Sequence, residues 1–227
     1  FAVGADTDKN TLHNCYMGVP FWANNPCQSI NYVSCHDNNT LIDRIMLSIP
    51  EAPRAIHIRM NKLAAAFCLT AQGVPFFQAG EEILRSKPDG KGGLEHNSYK
   101  SSDAVNSIKW SSLDDPACQE TYRYYQGLLA FRSAHPSLRL TSRKEVLETV
   151  APIPCDDPHV VAFRIHSKDG KQIIAIFNAS FSTVEFRLPA GKWNVYVNGC
   201  HAGIVPLAAA EGRTYAEPIA AMILEKE

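Results

Sequence analysis

No segment of this chain reaches the roughly 18 consecutive apolar residues that a membrane-spanning helix requires, so a membrane is not an expected partner. A charge excess is missing too. Lys and Arg number 22 against 23 Asp and Glu, a formal net charge of −1, and without a basic surplus nothing points to nucleic acid. The seven cysteines, at 15, 27, 35, 68, 118, 155 and 200, form no CxxC pair and no Cys/His group at zinc-site spacing. They read as scattered reduced thiols, although sequence alone leaves disulfides open. Internal repeats and low-complexity segments are absent. The opening FAVGADTDKN has no initiator Met and neither the basic nor the apolar region of a signal peptide; it reads as a cut into a longer protein.

What is present suffices for a packed core. Of the 227 residues 45% are hydrophobic, enough for one large domain or two modest ones. Residues 1–29, rich in Asn, Gly, Pro and Cys, read as irregular chain with one short helix at most. SINYVS (29–34) reads as a short strand. In TLIDRIMLSI the apolar positions Leu41, Ile42, Ile45, Met46 and Ile49 recur at helical spacing, and Thr40 suits an N-cap. A longer helix is expected over 54–73, where Ile56, Met60, Leu63, Ala64, Phe67 and Ala71 follow one face and Gly73 can end it. VPFFQAG (74–80) is a second short apolar strand, so the order strand, helix, strand predicts a parallel crossover. A long polar loop follows to about residue 112. Asp115 and Pro116 then mark the start of a helix that must stop before Pro136.

Beyond residue 138 the period changes to two. STVEFRL (182–188) alternates strictly, KWNVYVN (192–198) puts Trp193, Val195 and Val197 on one face, and VVAFRIHS, KQIIAIFNAS and IAAMILEKE complete an antiparallel β-sandwich. Asp169-Gly170 and Asn198-Gly199 suit tight turns. The boundary near 137–142 divides the chain into residues 1–138 and 139–227.

The chemistry concentrates where SINYVS runs out. His36, Asp37 and Asn38 are three adjacent polar side chains after an apolar strand, a costly arrangement if buried unpaired and a sensible one if the strand end opens into a ligand pocket. NYVSCHDNNTL resembles the conserved region of the α-amylase superfamily that closes on a His-Asp pair after the seventh barrel strand. QGVPFFQAGEEILRSK is similar to the eighth strand and its loop, and NSYKSSDAVNSIKW with GLLAFRSAHPSLR to the continuation into the eighth helix. Taken together, this wording most resembles type I pullulanases, bacterial debranching enzymes, over roughly residues 20–140. The resemblance implies α/β plus all-β architecture: the C-terminal part of a (β/α)8 TIM barrel followed by the β-sandwich.

The same resemblance implies roles. Asp37 matches the family's third carboxylate, which carries no proton but hydrogen-bonds two hydroxyls of the cleaved sugar; the plainer alternative is a helix-capping Asp. His36 would donate to that sugar, and Asn38 is a ligand contact or a turn residue. Glu82 would shape the site, while Arg85, Asn97 and Tyr99 would line sugar subsites. Glu81 and Glu82 cannot be the acid/base couple, because adjacent side chains diverge and cannot flank one bond. Trp110 and Trp193 are expected in the core. A complete barrel takes about 250 residues, and no segment matches the nucleophile Asp or acid/base Glu motifs. The resemblance therefore implies an inactive portion of a retaining α-glucan hydrolase that cleaves α-1,6 bonds in pullulan, limit dextrin or glycogen-like chains. No cofactor or metal is implied in the chain itself, although calcium sites occur in relatives. Its partner would be an α-glucan, and a truncated barrel with unpaired strand edges would tend to self-associate. An α-1,4 amylase, a branching enzyme, and a noncatalytic carbohydrate-binding or structural piece remain alternatives.

Overall fold

The computed structural model describes residues 1–227. Asp8 sets the first element: its carboxylate accepts from the N–H groups of Asn10 (3.3 Å) and Thr11 (2.9 Å). Helix α1 accordingly runs Lys9–Met17 and stops at Gly18 in the left-handed region. Strand β1 (Ile30–Asn31) leads through a bend to α2 (Leu41–Ser48), where the Thr40 hydroxyl accepts from the Asp43 N–H at 3.3 Å, as an N-cap should. Helix α3 (Arg54–Thr70) returns the chain to β2 (Val74–Pro75). The two strands pair in parallel, Ile30 with Val74 and Asn31 with Pro75, so the expected crossover is present. Its ladder is shorter than the two apolar runs suggest. Neither strand has a neighbour on its other edge, and the ladder closes after two residues.

The end of α3 also differs from expectation. The helix stops at Ala71, because Arg132 supplies donors to its orphan carbonyls: the guanidinium lies 3.1 Å from Leu69 O, 2.6 Å from Ala71 O and 2.9 Å from Gly73 O. Gly73 serves the crossover instead. It adopts φ +94°, and a Cβ there would meet Ser29 O at 2.9 Å.

The polar stretch after residue 80 carries single 3-10 turns at Glu81–Ile83, Ser98–Lys100 and Trp110–Asp114, with α4 (Asp103–Asn106) between the last two. Helix α5 (Pro116–Ala134) starts where Asp115 and Pro116 predict, the Asp115 carboxylate accepting from Ala117 N–H at 2.9 Å. Trp110 is 63% exposed, contrary to the core position expected for it. Its immediate neighbours in IKWSS are Lys109 and Ser111, and the core is filled from α5 by Tyr124, Tyr125, Leu128 and Phe131.

A helix α6 (Arg143–Thr149) and strand β3 (Val150–Ile153) open the second half. They are followed by β4 (Val160–His166), β5 (Gln172–Asn178), β6 (Val184–Val197), β7 (Ala208–Ala216) and β8 (Ala220–Lys226). All six form one antiparallel sheet in the order β3-β4-β5-β8-β6-β7. STVEFRL and KWNVYVN are not separate strands but one, β6, which shifts register between Arg187 and Lys192 at Gly191, φ +114°. The strands expected to build a sandwich thus belong to a single continuous sheet. Phe186 and Leu188 of β6 join Val160, Ala162, Ile174, Ile176 and the buried Trp193 in a cluster on one face. The other face packs on the helices. Tyr16 of α1 stacks on Phe163 of β4 at 3.9 Å between centroids, and Phe67 of α3 meets Phe177 of β5 at 5.0 Å. Helices and sheet therefore share one core cluster of 31 buried residues. No helix is long and apolar enough to cross a membrane.

Candidate functional site

The bend between β1 and α2 carries His36, Asp37 and Asn38. Asn38 takes φ +63°, a left-handed conformation that Asn tolerates better than most residues, and it turns the chain toward the Thr40 cap. His36 and Asp37 are left facing outward, their side chains 86% and 67% exposed, with Nε2 and Oδ2 3.6 Å apart. Asp37 caps no helix; Thr40 does that.

Asp37 and Asn38 share an open cleft of about 270 Å³ with His96 and Asn97. The fold thus brings Asn97, 60 residues further on, beside the His-Asp turn, and adds His96, which motif reading passed over although it precedes Asn97 directly. Tyr99 is exposed nearby in sequence, with Lys100 Nζ 5.3 Å from its ring centroid. Glu82 and Arg85 turn elsewhere. The Glu82 carboxylate accepts from Gly80 N–H at 2.9 Å, and the Arg85 guanidinium donates to Ala79 O at 3.2 Å and to Asn106 O. Glu82 closes its own turn, and Arg85 ties the start of the loop that carries Asn97 to Asn106. A larger groove of about 930 Å³ lies between α2, α3 and residues 83–94 and includes none of the candidate residues.

Beneath the turn the loop buries two charged side chains, Glu81 and Lys87. The Glu81 carboxylate accepts from the Ser34 hydroxyl, and the Tyr125 hydroxyl lies 3.2 Å from Glu81 Oε1 and 3.1 Å from Asn61 Oδ1. Burial pushes the Glu81 carboxyl up to about 7; the hydrogen bonds from Ser34 and Tyr125 work against that rise, and neighbouring Glu82 adds to it. Lys87, 2% exposed, donates from Nζ to Ser98 Oγ at 2.9 Å and to His36 O at 3.4 Å, while its N–H binds the buried Asp43 carboxylate at 2.8 Å. No group of three or more His, Cys, Asp or Glu side chains is placed to hold a metal ion.

An open cleft holding a carboxylate, an imidazole and two amides can hydrogen-bond a polyhydroxylated ligand; it contains no second carboxylate to split a glycosidic bond. Comparison with known proteins bears on that chemistry. The family model "Pullulanase, all-beta domain" matches residues 148–201. Pullulanase of Bacillus subtilis (strain 168) is 38% identical over 199 residues, covering 83% of this chain and 27% of the relative. Among solved structures, pullulanase from Bacillus acidopullulyticus superposes with a TM-score of 0.92 at 30% identity, over 99% of this chain and 27% of that one. Pullulanase type I from Bacillus subtilis str. 168, complexed with maltose, gives 0.89 at 29% identity over 99% of this chain and 32% of that one. In sequence and in fold the chain is a homologue of the type I pullulanases, spanning about a quarter of their length.

Proposed function

We propose that this chain is the part of a retaining α-glucan debranching hydrolase that presents the third carboxylate of the active site, Asp37. On this reading residues 1–138 are the C-terminal portion of a (β/α)8 barrel and residues 139–227 its β domain. The observation that carries it is the exposed His36–Asp37 pair at the end of a parallel strand–helix–strand crossover. Barrel enzymes place their chemistry at that end. Similarity to a pullulanase solved with maltose supports an oligosaccharide as ligand.

The mechanism assigns each group a limited task. Asp37, ionised, accepts hydrogen bonds from two hydroxyls of the sugar at the scissile bond, His36 donates to the same ring, and Asn38 and Asn97 border the cleft. Charged hydrogen bonds contribute about 1.5–3 kcal/mol each, and they accelerate reaction only as far as they tighten when the ring flattens toward its oxocarbenium-like transition state. The nucleophile and the proton donor must come from outside this chain's motifs. The chain alone should therefore release no reducing sugar from pullulan; turnover that co-purifies with it and disappears in Asp37→Ala would overturn that assignment.

The decisive substitution is Asp37→Asn in the enzyme containing this chain. It keeps size and removes charge, so kcat should fall roughly a hundredfold or more, about 3 kcal/mol. Because the side chain is exposed and caps nothing, the melting temperature should hold. A lower melting temperature with kcat intact would defeat the reading.

A further inference from the structure

We propose that Glu81 and Lys87 are positioning residues that clamp the His36–Asp37 turn from below, one on each side of Cys35. The inference rests on the reading of His36 and Asp37 as sugar-binding groups. That turn has little else to hold it. Residues 32–38 lie outside the β1–β2 ladder, Tyr32 and Val33 are exposed, and His36 and Asp37 themselves face solvent. A flexible carboxylate makes a poor transition-state contact, because catalytic groups must be held near their productive geometry before the substrate arrives.

The clamp has two jaws on one loop. Glu81 receives the hydroxyl of Ser34, two residues before His36, and is itself fixed by Tyr125 of α5, which is shared with Asn61 of α3. Lys87 reaches the carbonyl of His36 itself, and its Nζ is anchored by Ser98. Ser98 follows Asn97, so one ammonium ties together both walls of the cleft. Burying an acid and a lysine costs stability, and residues that only filled space would be apolar here. One amide is left without a partner in the Glu81 network, Asn61 Nδ2, which marks it as built around the carboxylate and incompletely satisfied on its far side. The Glu81 jaw also responds to protons. Facing it are Glu82 on its own turn, Tyr125 from α5 and Cys68 from α3; around Lys87 lie Arg85, Asp43, Asp37 and Cys35. Only the ionised Glu81 is solely an acceptor for both hydroxyls.

Isotope-labelled protein without sugar tests the clamp by NMR. In the native chain the N–H order parameters of residues 34–37 should lie near about 0.85, like those of α3, and fall below about 0.6 in Ser34→Ala and in Glu81→Gln while α3 and β5 stay rigid. Lys87→Met should loosen residues 36 and 37 in the same way. Combining Ser34→Ala with Glu81→Gln should add nothing, since both remove one contact. The Ser34 amide should shift in a step near the Glu81 titration that vanishes in Glu81→Gln. Residues 34–37 remaining rigid in Ser34→Ala, or a loss of order spread equally over α3 and α5, would overturn the proposal; if Glu81→Gln or Lys87→Met unfolds, the Ser34→Ala result decides. No sugar enters this measurement, so it fails or succeeds separately from the Asp37→Asn test.

Discussion

Glu81 shows what a single buried acid does to the energetics of the chain. Its carboxyl is raised from 4.5 to about 7, burial being the largest cause. The folded protein therefore holds a proton that the unfolded chain has already released between those values. Stability must fall as pH rises through that window, by roughly 3 kcal/mol in all. Denaturant unfolding at pH 5 and pH 8 should reveal this slope. Glu81→Gln, which cannot ionise and replaces one of the two acceptor oxygens with a donor, should flatten it and leave the variant at least as stable as the native chain at pH 8. An undiminished slope in the variant would place the titrating group elsewhere.

At the scale of elements, α5 is fastened at three points. Asp115 caps its start, Arg132 near its end gathers the carbonyls of α3, and Gly127 in its middle lets the 198–203 turn approach. A Cβ on Gly127 would stand 1.9 Å from Ala202 O and 2.3 Å from the Ala202 carbonyl carbon, both backbone atoms that cannot swing aside. Gly127→Ala raises helix propensity and would stabilise an exposed helix by about 1 kcal/mol; here it should destabilise by about 3 kcal/mol or more, since backbone must move. Chemical denaturation separates the two outcomes by sign. Of these fasteners only the Asp115-Pro116 start was legible beforehand, because a cap is written in adjacent residues, whereas Arg132 and Gly127 act on partners 59 to 75 positions away. The same distinction runs through the fold. Thr40, the crossover, the alternating strand β6 and the more continuously apolar strands β4, β5 and β8 follow from local pattern. Strand β7, AAAEGRTYA, has small or polar residues on both faces and gains its place by pairing with β6, so no period announces it. His36 and Asp37 were legible as a motif. The buried Glu81 and Lys87 beneath them were not, since a charged pair in a polar loop looks solvated until the fold closes over it.

For the whole molecule, the shared core decides how rigidity is distributed. Motif reading divides the chain into an open barrel portion and a self-contained β domain, and from that division alone residues 160–197 should exchange their amide protons more slowly than residues 30–80. The packing refines this contrast. Helix α3 has 11 of its 17 residues buried, and its Phe67 sits in one aromatic cluster with Tyr16, Phe163 and Phe177; each such ring contributes about 1.5–3 kcal/mol by burial. Opening α3 must therefore uncover the face of the sheet, and the two should open together. The strand ends have no such backing. Ile30, Tyr32, Val33, Val74 and Phe76 are exposed, and a two-residue ladder ties β1 to β2. Hydrogen exchange followed residue by residue should thus place residues 56–70 among the slowest amides, alongside β5 and β8, with residues 30–38 and 74–79 faster by at least tenfold. In a complete barrel those fast segments would acquire neighbours on both edges, and their exchange should slow while that of α3 stays the same. Uniformly fast exchange from 30 to 80 would mean that α3 separates from the sheet, and that the helices and sheet fold as independent units.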